Sequence, residues 1–115
     1  MSTYKIYYQK SEYMRDLMMG WDWLLDENPE LAMSLASSIV ATHVYLKEVQ
    51  AGNMDEVFRM MQGEIWSPNG EANDMILEKG LRHTSMSVGD IIYDCEVEAY
   101  YFVDSLGFKQ IPEVE

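Results

Sequence analysis

The sequence has little of what metal binding and redox chemistry require. One cysteine, Cys95, and two histidines, His43 and His83, stand among 115 residues. A lone cysteine forms no internal disulfide and fits a reducing compartment. No C-x-x-C or H-x-x-x-H pair exists, so a structural or catalytic metal has no ligand set to use. Glycine-rich phosphate cradles are missing as well. No apolar run approaches the roughly 18–20 residues that cross a bilayer. The opening MSTYKIYYQK lacks the charged-then-apolar layout of a secretory leader. These absences point to a soluble, cytoplasmic protein with no cofactor and no membrane partner. Without repeats, low-complexity tracts or Pro/Gly-rich linkers, residues 1–115 read as a single domain.

Basic side chains are scarce too. Eight Lys and Arg face twenty Asp and Glu, for a net charge of −12. The imbalance is −3 over residues 1–50 and −9 over the remainder. Such a field repels phosphates and anionic membranes and attracts basic protein surfaces, so direct nucleic-acid binding is disfavoured. The last thirty residues, with one lysine against seven acids, are the expected charged face.

What is present suffices for a core. Apolar residues make up 48% of the chain, which argues against disorder. The ten methionines fall mostly in helix-like patterns and read as core filler, although surface Met also suits adaptable binding grooves.

Residues 3–8, TYKIYY, read as a strand with Tyr4, Ile6 and Tyr8 on one face. Ser11 caps a helix to about Met19 that turns Tyr13 and Leu17, with Met14 and Met18, inward; Gly20 ends it. GWDWLLDENPE then sets Trp21 and Trp23 beside Asp22 and Asp26. Asn28-Pro29 opens a helix that runs to about Ile39. Residues 40–49 alternate as a strand, Val44 and Leu46 on one face, His43, Tyr45 and Lys47 on the other. Asn53 and Glu56 form a capping-box-like start for a helix to about Gln62. EIWSPNGEAND reads as a loop, followed by a helix from Glu71 that stops at Gly80 with Leu81 packed back on Leu77. Three short strands, Val88–Asp94, Tyr100–Asp104 and Phe108–Ile111, complete an antiparallel meander. The order predicts an α+β domain: a small, mostly antiparallel sheet with helices packed on one side.

Two stretches carry a resemblance. SMSVGDII (residues 85–92) and YYFVDSLGFKQI (residues 100–111) resemble the YodL-like domain of bacterial mobile-element proteins. That family shows S-L-S-V-S-D-V-I followed by Y-Y-V-D-S-F-G-F; here Met86, Gly89 and Leu106 depart from it. THVYL (residues 42–46), FRMMQGEIWSPNGEA (residues 58–72) and HTSMSVGD (residues 83–90) are also similar to small acidic proteins of bacteriophages, including cyanophages. The resemblance implies a phage or mobile-element setting. It implies no catalytic residue.

RHTSMSVGDIIYD (residues 82–94) concentrates the candidate chemistry. His83, Ser85, Ser87 and Asp90 are the ingredients of a nucleophile–base–carboxylate set, but nothing in their spacing secures the required contacts. The competing reading is a polar turn, in which Ser and Thr bond nearby backbone and Gly89 supplies permissive dihedrals. Asp94, Glu96 and Glu98, with Asp90, offer carboxylates without the spacing of a cation loop and read as a solvated hairpin tip. Trp66, in a Pro-Asn-Gly loop, is either a partner anchor or a packing residue.

The expectation is therefore a small acidic protein that binds a protein with a basic surface, leaning against an enzyme. The alternatives are a hydrolase or transferase using His83 with Ser85 or Ser87, a nucleic-acid mimic, and a homo-oligomeric assembly factor.

Overall fold

The computed structural model describes residues 1–32 and 34–112. Met33, inside the expected second helix, and Glu113 and Glu115, counted with the charged C-terminal face, lie outside the described residues. Five strands form one antiparallel sheet in the order β2-β1-β3-β4-β5. They are β1 (Ser2–Gln9), β2 (His43–Ala51), β3 (Ile91–Asp94), β4 (Ala99–Asp104) and β5 (Gly107–Gln110). Among the described residues six short helices fill the connections: α1 (Met14–Leu17), α2 (Trp21–Glu27), α3 (Leu35–Thr42), α4 (Met54–Met60), α5 (Gly63–Trp66) and α6 (Asn73–Glu78). Single 3₁₀ turns precede α1 (Ser11–Tyr13) and α3 (Pro29–Leu31). This is the expected α+β domain with its C-terminal meander.

The helices cover both faces of the sheet rather than one. Alternate residues of a strand point to opposite faces, and β3 and β4 bury apolar residues of both sets. Tyr4, Ile6, Tyr8, Ile92 and Val103 pack with Val57, Met61 and Ile76 from the α4–α6 segment. Ile91 and Phe102 pack with Leu17, Trp21, Leu24, Leu35 and Ile39 from the α1–α3 segment. Tyr7, partly buried, packs against this second cluster, so β1 meets both.

Several boundaries move. α3 continues to Thr42, so β2 begins at His43 rather than residue 40. Ser34, not Asn28, supplies its cap by accepting the Ser37 N–H at 3.1 Å. The acidic aromatic stretch forms α2, with Trp21 and Leu24 buried three residues apart. Ser11 makes no side-chain cap at the first helix. Leu81 is buried in the core, but Leu77 is exposed and does not receive it; the Gly80 turn instead joins Leu81 N–H to the Ile76 carbonyl. Met18, expected inside, is exposed. The Asn53 cap forms as expected, accepting Glu56 N–H at 2.8 Å.

A bulge interrupts the β1–β2 ladder. Ile6 pairs with Lys47 and Tyr7 with Tyr45, leaving Leu46 as the extra residue. The slip turns Lys47 onto the Ile6 face, where its ammonium sits 5.1 Å from the Trp66 ring centroid. The simple alternation expected for Tyr45 and Lys47 on one face therefore fails at this point.

Candidate functional site

The stretch between α6 and β3 folds back over the end of β1. Asp90 is fully buried, and its carboxylate is surrounded by donors. Oδ1 accepts the Gln9 backbone N–H at 2.9 Å and the Gln9 side-chain amide at 3.2 Å. Oδ2 accepts the Ser87 N–H at 2.8 Å. His83 Nε2 lies 3.1 Å from both oxygens. Burial pushes the Asp90 carboxyl above its ordinary range, opposed by His83 and by the Gln9 and Ser87 N–H groups.

Each neighbour is fixed in turn. The His83 ring stacks on Tyr8, centroids 4.6 Å apart and planes 16° from parallel. The Tyr8 hydroxyl donates to the Thr84 carbonyl at 2.7 Å, and burial raises its pKa above the usual tyrosine value. Trp66 Nε1 donates to the same carbonyl at 3.0 Å. Ser85 Oγ accepts Gly63 N–H at 2.7 Å, holding the start of α5. Gln9 Nε2 donates to the Val88 carbonyl at 2.8 Å and approaches Ser87 Oγ at 3.5 Å.

His43 closes the assembly from β2. Its Nε2 is 2.7 Å from the Gly89 carbonyl, which can only accept, so this nitrogen carries a proton. Nδ1 is 2.7 Å from Thr42 Oγ1, whose single proton is also within reach of the Ser38 carbonyl at 2.8 Å. Burial lowers the His43 pKa to about 4, against the Gly89 bond, which favours the charged form. Gly89 itself has φ 103°, and a Cβ there would run into the Gln9 amide. Only glycine suits that position.

The sequence candidates thus separate into two groups. His83, Ser85, Ser87 and Asp90 do converge, as parts of one packed polar knot. Within it His83 faces a carboxylate, while the two serine hydroxyls accept from Gly63 and Gln9. His83 Nδ1 and Gln9 Oε1 are buried and have no hydrogen-bond partner among the described residues. The serine–imidazole contact that a hydrolase needs is not among the bonds made. Asp94, Glu96 and Glu98 lie apart, at the β3–β4 turn: Asp94 accepts Glu96 N–H at 2.9 Å, Ser2 Oγ donates to Glu96 Oε2 at 2.5 Å, and Glu98 adopts φ 55°. No cluster of three or more His, Cys, Asp or Glu fit to hold a metal occurs among the described residues. Among them, too, no helix is long and apolar enough to cross a membrane.

Sequence reasoning missed Tyr8, Gln9 and His43 as members of the knot. Their partners lie 46 to 81 positions away, beyond any local pattern. No protein-family model, curated protein or solved structure matches this chain.

Proposed function

We propose that this is a small acidic, non-catalytic protein that works by binding another protein, in a phage or mobile-element setting. The observation that supports the reading is the fate of the chemistry-bearing residues. Asp90 spends both carboxylate oxygens on Gln9, Ser87 and His83, and the hydroxyls of Ser85 and Ser87 accept from the chain itself. A residue so engaged is a structural fastener. The chain carries a net charge of −12, and several large apolar side chains are exposed.

The test is affinity capture from a bacterial lysate on the immobilised protein, at low and high salt. The expected result is a discrete protein held at low salt and released at high salt. An empty capture overturns the reading. So does turnover of any substrate that His83→Gln abolishes while the fold is retained.

A further inference from the structure

Several exposed apolar side chains gather in the α1–α2 hairpin. Leu17, Trp21 and Leu24 of this segment are buried against the sheet, while Met18, Met19 and Trp23 remain 71%, 63% and 43% exposed. These three side chains line one groove of about 560 Å³, together with Arg15, Asp16 and Glu27. Its walls are braced: Asn28 donates from one amide group to Asp16 Oδ2 at 3.1 Å and to the Leu24 carbonyl at 2.9 Å. Gly20, at φ 115°, sets the turn between the two helices. The groove is therefore a held shape with a soft lining. Methionine thioethers repack around varied apolar shapes, and a half-exposed tryptophan is the side chain most able to anchor a partner.

The surrounding charge selects the occupant. Residues 12–30 carry six acids and a single arginine, and Lys109 pairs with Asp22 at 3.2 Å, so the region stays net acidic. A second copy of this chain would bring like charge against like charge, and an anionic membrane or a nucleic acid would be repelled in the same way. Leu77, Val40 and Leu106 are also exposed, but scattered single apolar residues are normal on a surface.

We infer that the Met18–Met19–Trp23 groove is a docking site for a basic protein segment that inserts large apolar side chains between flanking Lys or Arg. This deepens the proposal of a protein-binding role and rests on it. Met18, Met19 and Trp23 supply the apolar seat; Asp16 and Glu27 meet the flanking cations; Arg15 opposes them.

The probe is a dye-labelled synthetic peptide of leucines and lysines patterned as an amphipathic helix, titrated against the full chain by fluorescence anisotropy. Two controls replace its lysines with glutamates or its leucines with serines. The expected result is saturable one-to-one binding by the first peptide only. Trp23→Ala should weaken it by about tenfold, and Met18→Ser or Met19→Ser by a smaller factor. Glu27→Lys should weaken binding and Arg15→Glu strengthen it, with both effects shrinking as salt is raised. All five positions are on the surface, and an unchanged melting temperature confirms that each variant is folded.

Binding that ignores these variants, or no binding at all, overturns the groove assignment. A concentration-dependent dimer that Trp23→Ala dissociates overturns it in favour of a second copy. If lysate capture still yields a salt-sensitive partner, the protein-binding role survives either failure; an empty capture removes both.

Discussion

Nε2 of His83 sits 3.1 Å from each carboxylate oxygen of Asp90, a side chain with no exposed surface. The pair joins the segment after α6 to the residue just before β3. Because Asp90 also accepts from Gln9, it clamps the end of β1.

Asp90→Asn keeps the size of the side chain but turns one acceptor into a donor facing the N–H groups of Gln9 or Ser87. A loss of about 3 kcal/mol is expected, because buried N–H groups lose their acceptor. His83→Gln should cost less, about 1–2 kcal/mol, since two backbone N–H groups still hold the carboxylate. Urea denaturation of both variants measures the order.

Gly89→Ala combines an unfavourable left-handed backbone with a collision against the Gln9 amide. The expected cost is about 3 kcal/mol. Pairing it with Gln9→Ala should recover part of that cost, and a double-mutant cycle with no coupling would refute the steric account.

His43 makes stability depend on pH. Its pKa falls from 6.5 in the unfolded chain to about 4 in the fold. The unfolded state then binds the extra proton, so stability is fully present above pH 6.5 and lost as pH falls toward about 4. The shift is worth about 3 kcal/mol. Asp90 acts oppositely: its raised pKa favours the fold at acid pH, below the ordinary carboxyl value, and that contribution is lost as pH rises. The difference in denaturation slope between wild type and His43→Gln over this interval isolates the histidine; equal slopes would discount it.

The Thr84 carbonyl accepts from both Tyr8 and Trp66. Tyr8→Phe and Trp66→Phe should each cost about 1 kcal/mol, because one donor remains. The double variant strands the carbonyl and should cost more than the sum. Calorimetric melting of the three proteins checks this.

The fold was legible where the signals were local. The apolar alternation at Tyr4, Ile6 and Tyr8 marks β1, the Asn53–Glu56 pair marks the start of α4, and the turn at Ser105 and Leu106 separates the last two strands. The two-sided packing was harder to see, because Tyr7 and Gln9 fall outside the apolar alternation of Tyr4, Ile6 and Tyr8. α2 was hidden because its buried residues are Trp21 and Leu24, with Leu25 partly buried, while Asp22, Trp23 and Asp26 are exposed. In the site, the stretch around Asp90 was visible as a turn. Its partners Gln9 and His43 were not, since long-range pairing leaves no spacing to read. Met18 was placed inside because a methionine pattern does not state which side of a short helix meets the sheet.

The place of β1 between β2 and β3 has a consequence for synthesis on the ribosome. The first strand made is flanked on one side by residues 43–51 and on the other by residues 91–94. Until the latter leave the exit tunnel, one edge of β1 stays open, and neither His83 nor Gln9 has its carboxylate. Nascent chains halted before Ile91 should therefore be protease-sensitive throughout, and protection should arrive abruptly once the closing strands emerge.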